Sequence, residues 1–277
     1  DIKPAMLTVG GWFDAEDVYG TLATYRAIEA QSSGTQSALV MGPWVHNGWM
    51  RTEGDALGDV RFASKTSHYY RERVITPFFL RHLKGEDAER LPEATVFETG
   101  TNQWRGYDAW PPRGARPQAL WLCEGGRLAL APCAQEGGDS YVSDPARPVP
   151  HSPRPLNHRD NAYMVDDQRF AARRPDVLTY VTEPLAEDLL LAGPLQAELR
   201  VKTTGTDADF VVKLIDVYPA DVRDPEPNPS GVRLAGYQQL VRGEVLRGRF
   251  RDSFERPVPF APGQAAALRF PLPDVNH

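Results

Sequence analysis

The sequence lacks the features that would assign it to a membrane, nucleic-acid-binding or metal-binding class. Its 277 residues contain no apolar run of about 18 residues, so no transmembrane helix is predicted. A formal net charge of -6 at pH 7 provides neither a basic footprint for nucleic acid nor a polybasic patch for a membrane surface. Neither His-Glu-x-x-His nor Cys-x-x-Cys occurs, and we predict no metal site.

Cysteine is also scarce, with only Cys123 and Cys133 in the chain. They flank Gly125-Gly126, and a two-residue hairpin turn at those glycines would place Cys123 opposite Leu128 rather than Cys133. The register therefore favours two unpaired small apolar side chains over a disulfide. The cysteines leave the cellular compartment open.

The two ends of the sequence predict a part of a longer protein. The first residues, Asp1 to Pro4, do not form a signal peptide and lead directly into an apolar segment. The last residues stop at 271–277 without a terminal cap or tail.

Up to about residue 90, short apolar runs alternate with helical patterns. Met6–Val9 and Ala38–Met41 predict buried strands, each closed by glycine. Apolar residues at helical spacing predict helices over Glu16–Ala30, ended by Ser32-Ser33-Gly34, and over Ser67–Leu83, followed by Gly85. This alternation predicts a parallel sheet with helices packed on its faces.

After residue 90, short alternating segments are separated by many prolines and glycines, which predicts an antiparallel sandwich or jelly roll. The predicted strands are Thr95–Glu98, Ala119–Leu122, Leu128–Ala131, Leu178–Val181, Leu195–Val201, Phe210–Val217, Tyr237–Val241 and Ala267–Phe270. Residues 144–161 and 224–231 are rich in proline and predict long surface loops. We therefore predict an α/β portion over residues 1–90 followed by an all-β portion over residues 91–277.

Two ionisable residues follow the predicted parallel strands. Asp14 comes just after the first strand and His46 just after the second. Because reactive groups collect outside the carboxyl ends of parallel strands, we expect both at one edge of the sheet. A carboxylate there would bond the imidazole and hold its tautomer. Each residue also has an ordinary alternative, a helix cap for Asp14 and a solvated loop position for His46.

Several motifs resemble one hydrolase family, in the same order and along nearly the whole chain. Gly-Gly-Trp-Phe-Asp-Ala-Glu-Asp (10–17) and Met-Gly-Pro-Trp-Val-His (41–46) resemble the acid and base motifs of the cocaine esterase, glutaryl-acylase and α-amino acid ester hydrolase family, a distant relative of X-Pro dipeptidyl-peptidases. Further resembling segments are residues 79–85, 101–105, 207–219 and 247–251. The resemblance implies the C-terminal part of an α/β-hydrolase sheet joined to a jelly-roll β-sandwich that is truncated at its C-terminus.

The resemblance also implies the roles of the two ionisable residues. Asp14 would orient the imidazole and His46 would act as general base in a serine hydrolase of esters or amides, with no cofactor or metal. The family's serine lies in a Gly-x-Ser-x-Gly turn, which this chain lacks. The nearest sequence, around Ser140, falls in the predicted sandwich. We expect the serine and the oxyanion-hole donors upstream, and the chain alone to be inactive.

Four further residues are candidate substrate-binding groups. The acid motif of α-amino acid ester hydrolases continues as Asp-x-Glu-Asp, which Glu16 and Asp17 match, and the resemblance implies that both bind the substrate's α-ammonium group. Clustered carboxylates favour a cation and disfavour an anionic acyl group. Alternatively, they only stabilise a helix N-terminus. Trp12 and Trp44 precede the acid and base, and either line the pocket or pack beneath it.

Other interpretations stay open at this point. Within the hydrolases, the rivals are a glutaryl-type acylase and a general carboxylesterase; from another class, the rival is a non-catalytic jelly-roll binding module with a vestigial hydrolase stub. We expect a small-molecule ester or amide substrate, favoured by a free α-amino group, with no nucleic acid or membrane partner. Unpaired sheet edges would allow a homo-oligomer. Only the resemblance suggests a periplasmic or secreted location.

Overall fold

The computed structural model describes residues 2–32, 34–135, 137–158 and 160–277. The strands are β1 (Met6–Gly11), β2 (Ser37–Gly42), β3 (Ala56–Leu57), β4 (Val60–Arg61), β5 (Ala94–Glu98), β6 (Gln103–Tyr107), β7 (Trp121–Cys123), β8 (Arg127–Ala129), β9 (Ala192–Lys202), β10 (Asp209–Val217), β11 (Gln238–Arg247) and β12 (Ala265–Asn276). The α-helices are α1 (Val18–Gln31), α2 (Gly48–Arg51), α3 (Thr66–Tyr69), α4 (Thr76–Lys84) and α5 (Arg169–Ala172). None of the helices in these ranges has the length and apolar character needed to span a bilayer.

The first three elements form a β-α-β unit. β1 and β2 pair in parallel, with Leu7 opposite Ala38 and Gly11 opposite Gly42, which confirms the predicted parallel strands. The crossover helix α1 buries one face, made by Val18, Thr21, Leu22, Tyr25 and Ile28. The helix ends at Ser32, whose backbone N–H donates to the Ile28 carbonyl at 2.8 Å. Ser33, part of the predicted stop signal, lies outside the described residues.

The second predicted helix is continuous but changes its hydrogen-bond pattern midway. Between α3 and α4, residues Tyr70–Ile75 form a π-helical segment in which the Thr76 N–H donates to the Arg71 carbonyl. Pro77 follows immediately, and proline has no N–H to donate to the preceding turn. The helix then ends at Gly85, which adopts φ 68°.

The parallel sheet continues beyond residue 90. Its order is β1-β2-β5-β6, with β5 parallel to β2 and β6 antiparallel to β5. Strand β6 was not predicted. The sheet therefore spans the predicted boundary between residues 90 and 91, and the division into two domains stays a prediction.

The remaining long strands form two antiparallel pairs, β9 with β12 and β10 with β11, which pack on one shared core; these four strands with that core are called the sandwich below. Alternate residues of β12, including Leu268, Phe270 and Leu272, point into a core that they share with Leu246 and Phe260. The loop between β10 and β11 contains the predicted proline-rich segment 224–231. Three of these strands, β9, β11 and β12, extend by three or more residues beyond the predicted segments.

One predicted strand is absent from the described part of the chain. Within Leu178–Val181, only Val181 makes a single bridge, to Arg127. Leu178 and Val181 both stay exposed. An apolar segment gains little as a strand when neither face is covered, so β-propensity alone does not decide the structure here.

The cysteine prediction was wrong. Cys123 and Cys133 form a disulfide. The hairpin loop spans three residues, Glu124–Gly126, so Cys123 faces Arg127 rather than Leu128. After β8 the chain turns back and brings Cys133 to Cys123. The sequence-based argument considered only cross-strand register and missed this return.

Candidate active site

The structure brings Asp14 and His46 together at the carboxyl ends of β1 and β2. His46 Nδ1 and Asp14 Oδ2 are 2.9 Å apart. The strands end in register at Gly11 and Gly42, so both loops leave the sheet at the same edge. The predicted placement of the carboxylate and the imidazole within bonding reach is confirmed.

Backbone hydrogen bonds hold the two loops to each other. The Trp12 N–H donates to the Gly42 carbonyl at 2.8 Å, and the Phe13 N–H donates to the Trp44 carbonyl at 3.0 Å. Gly11 permits this approach, because a Cβ on it would overlap the Trp44 carbonyl. The backbone pairing of β1 with β2 therefore continues through the two loops up to Asp14 and His46.

Asp14 is only 4% exposed, and both of its carboxylate oxygens are engaged. Oδ1 accepts the backbone N–H of Glu16 at 2.8 Å and that of Asp17 at 3.0 Å, while Oδ2 faces the imidazole. The alternative that Asp14 caps the helix is wrong, because α1 begins at Val18 with Asp17 as its N-cap residue; Asp14 instead orders the turn before the helix. These bonds fix the orientation of the carboxylate before any substrate arrives.

His46 is held at one nitrogen and open at the other. Its side chain is 46% exposed, although Nδ1 faces a buried carboxylate. An ionised carboxylate only accepts hydrogen bonds, so the neutral ring carries its proton on Nδ1 and leaves the Nε2 lone pair free. Within the described part of the chain, Nε2 has no hydrogen-bond partner. This is the arrangement that a general base requires.

Glu16 and Asp17 lie beside this pair on the surface. Both are exposed at the entry to α1, where Asp17 is the residue preceding the first helical turn. Their backbone N–H groups bind Asp14. The Asp17 carboxylate lies against Gly20, over the first turn of α1.

Trp12 and Trp44, predicted as substrate-binding residues, are buried and closed to a small molecule. Each is 2% exposed. The Trp12 indole N–H donates to the Phe97 carbonyl, and the Trp44 indole N–H donates to the Thr66 hydroxyl, each at 2.8 Å. The prediction that they bind substrate is therefore corrected to packing beneath the loops, the alternative weighed for them. Their indole nitrogens are satisfied inside the core, as buried tryptophans require.

Arg242 is a buried residue near the site that the sequence reasoning missed. It lies on β11, is 3% exposed, and donates from one terminal nitrogen to the Trp12 carbonyl at 2.9 Å and from the other to the Asp274 carbonyl at 3.0 Å. Burial lowers the pKa of Arg242 to about 10, and the charge of Asp274 partly offsets this effect. The only sequence signal was a cation inside the apolar segment Leu240–Leu246.

Other candidate features lie elsewhere. In the described ranges, no three His, Cys, Asp or Glu side chains converge as metal ligands. Ser140 lies in an exposed irregular segment, without a strand before it or a helix after it. A hollow of about 310 Å³ is lined by residues between Pro150 and Tyr163, and neither Asp14 nor His46 borders it.

Similarity to known proteins covers the whole chain but only part of each relative. The X-Pro dipeptidyl-peptidase C-terminal non-catalytic domain matches residues 86–277. Cocaine esterase from Rhodococcus is 31% identical over 94% of this chain and 44% of its own length. An aminopeptidase from a marine sediment Thaumarchaeota archaeon superposes with a TM-score of 0.90 at 40% identity, over 100% of this chain and 45% of its own.

A second solved structure, an α-amino acid ester hydrolase labelled with selenomethionine, gives a TM-score of 0.89 at 39% identity and covers 98% of this chain and 45% of its own. The chain therefore spans less than half the length of these relatives. It belongs to the family that carries the X-Pro dipeptidyl-peptidase C-terminal domain, and it is homologous to the C-terminal portion of cocaine esterase and α-amino acid ester hydrolase.

Proposed function

We propose that this chain supplies the acid and the base of the catalytic triad of a serine hydrolase that cleaves esters or amides. The observation that carries the proposal is the 2.9 Å contact between His46 Nδ1 and buried Asp14, with Nε2 open to solvent. The serine would lie in the part of the protein that corresponds to the unmatched length of the relatives. The parallel strands β1, β2 and β5 would then belong to an α/β-hydrolase sheet, and β9–β12 to its jelly roll.

The geometry supports a defined sequence of proton transfers. His46 Nε2 removes the proton of the serine hydroxyl as that oxygen attacks the carbonyl carbon, and the imidazolium is stabilised by Asp14. The same proton then passes to the departing alcohol or amine, which leaves an acyl-enzyme. Water attacks the acyl carbon next, gives its proton to Nε2, and the acid is released as the serine oxygen recovers the proton.

The acidic surface beside His46 supports a narrower substrate class. Glu16 and Asp17 would attract the α-ammonium group of an amino acid ester or amide, and the name of one similar structure, α-amino acid ester hydrolase, describes such a substrate. A glutaryl-type acyl group is an anion and would be repelled by the same carboxylates. The name of the matched domain, which calls residues 86–277 non-catalytic, agrees with a catalytic pair that lies before residue 86.

The test is turnover of a p-nitrophenyl ester by the intact protein that includes the upstream part. We expect His46→Ala to abolish turnover, and His68→Ala, which alters an exposed histidine bonded to Glu53, to leave it unchanged. Equal activity of the two variants would contradict the proposal. The chain by itself should show no turnover, because it lacks the nucleophile; activity of the chain that depends on His46 would refute that expectation.

A further inference from the structure

Trp12 makes three of the hydrogen bonds that fasten the acid-bearing loop to the rest of the molecule. Its backbone N–H is bound by β2 through Gly42, and its indole N–H is bound by β5 through the Phe97 carbonyl. Its carbonyl is bound by Arg242 of β11. The first two anchors come from the four-stranded sheet itself, whereas the third comes from the antiparallel pair β10–β11.

Arg242 bridges two backbone carbonyls that belong to different layers. One terminal nitrogen reaches the Trp12 carbonyl and the other reaches the Asp274 carbonyl on β12. The Asp274 carboxylate is occupied elsewhere, accepting from Arg26 and from the Trp110 indole. The rigid fork of a guanidinium suits two acceptors at fixed positions, whereas an ammonium group is a point charge on a flexible stem.

The guanidinium is an expensive group to bury at this position. Among the residues that the structure describes, no carboxylate lies within ion-pair distance of Arg242. An unpaired buried cation is unfavourable, and an apolar residue of similar size is often as stabilising. What an apolar residue cannot do is hold the carbonyl of Trp12, two residues before Asp14.

We propose that Arg242 is a positioning residue that fixes the Asp14 carboxylate against His46 through the backbone of Trp12. The inference rests on the proposed function, since it assigns a task to Arg242 only if the Asp14–His46 pair is catalytic. Through Arg242 of β11, the sandwich would then help to position a catalytic residue. A shift at the Trp12 carbonyl would tilt the short turn in which the Asp14 N–H donates to the Gly11 carbonyl, and with it the carboxylate.

The test reads the imidazole directly and needs no catalysis. In the ¹⁵N-labelled chain, long-range proton–nitrogen spectra report which ring nitrogen of His46 carries the proton, with His46→Gln giving the assignment. We expect Nδ1 to be protonated in the unsubstituted chain. In Arg242→Gln, the Nδ1 and Nε2 resonances should move toward each other as the two tautomers mix, and Arg242→Lys should shift them by a smaller amount.

The matched control is Arg247→Gln on the same strand, which removes an exposed pair with Asp209 and should leave the His46 resonances unchanged. If Arg242→Gln keeps its thermal unfolding transition and the His46 resonances do not move, the proposal is overturned. Should Arg242→Gln fail to fold, Arg242→Lys decides by the same criterion.

A measurement on the unsubstituted chain gives an independent decision. If Arg242 fastens the loop, the Trp12 and Phe13 amides should exchange with solvent only through the opening that also exposes Glu244 and Val245, which pair with β10. Loop amides that exchange while β11 stays protected would overturn the proposal. These exchange rates and resonances test the role of Arg242 without any measurement of esterase activity. The proposed function fails separately, if His46 Nδ1 carries no proton in the unsubstituted chain.

Discussion

The carboxyl edge of β1 and β2 and the interior of the sandwich bury their side chains for different reasons. At the edge, a carboxylate is sealed inside the protein and the imidazole bonded to it is half exposed. In the sandwich, Leu268, Phe270 and Leu272 fill a core with apolar groups. The parallel strands bring their loops together at one edge of the sheet, whereas the antiparallel pairs pack their apolar faces around a core. Chemistry is therefore expected at the edge and stability in the sandwich.

The largest expected effect comes from a substitution at the carboxyl edge of β1 and β2, and it is on catalysis. Asp14→Asn should lower kcat of the intact enzyme by roughly 10⁴-fold. An asparagine amide can donate to Nδ1, which would move the ring proton to Nε2 and remove the base. The thermal unfolding temperature should change little because Oδ1 can still accept the N–H groups of Glu16 and Asp17. A kcat within tenfold of the unsubstituted enzyme would contradict the assignment.

The complementary change is in the sandwich core. Leu268→Ala should lower the free energy of unfolding by about 2–5 kcal/mol through lost burial and a residual cavity. Val211→Ala on the exposed face of β10 should change it by about 0.5 kcal/mol or less. Urea unfolding measures both. If Leu268→Ala were as mild as Val211→Ala, the sandwich interior would not have the stabilising part given to it here.

The disulfide between Cys123 and Cys133 links the hairpin β7–β8, which belongs neither to the four-stranded sheet nor to the sandwich. Cys123→Ser with Cys133→Ser removes a link between residues separated by 10 positions. We expect the opening free energy of the β7–β8 hairpin to fall by about 2–3 kcal/mol. Amide hydrogen exchange of Trp121 and Ala129, the pair at the open end of the hairpin, measures it, and unchanged exchange would argue that packing alone holds the hairpin.

The smallest expected effect concerns the preference of the site for a substrate with a free α-amino group. Glu16→Gln with Asp17→Asn should lower kcat/KM for an α-amino acid ester by about tenfold. This corresponds to an increase of ~1.4 kcal/mol in the activation free energy. The same double variant should not affect an N-acylated ester. Glu29→Gln, at the far end of α1, is the control. If N-acylation leaves kcat/KM of the unsubstituted enzyme unchanged, the ammonium-binding role fails.

Local sequence signals predicted the first part of the fold well. The two buried strands and the helix between them follow from apolar runs, helical spacing and glycine stops, and the pairing of Asp14 with His46 follows from parallel strands ending at one edge. The π-helical segment before Pro77 and the strand β6 were not predicted. Strand β6 depends on its pairing with β5, a contact between segments that periodicity within one segment does not report.

The errors share one cause. Trp12 and Trp44 were placed in the substrate pocket because they precede the ionisable residues, yet both indoles find acceptors inside the core. Cys123 and Cys133 were separated by strand register, yet the chain turns back after β8. Leu178–Val181 has the composition of a strand but makes only one bridge, through Val181, and Leu178 and Val181 stay exposed. For the tryptophans and the cysteines, the deciding contact comes from a segment remote along the chain or folded back upon it; for Leu178–Val181, no segment among the described residues covers the side chains.

By itself, the sequence determined the two parallel strands and the helix between them, which residues follow those strands, and the family to which the motifs belong. These are set by local backbone preferences and by short motifs. Only the tertiary structure decided that Arg242 holds the carbonyl of Trp12, that both tryptophans are sealed, and that the sheet runs past residue 90. Those outcomes depend on which distant groups meet once the chain is packed, because a buried polar group takes whatever partner the surrounding layers bring within reach.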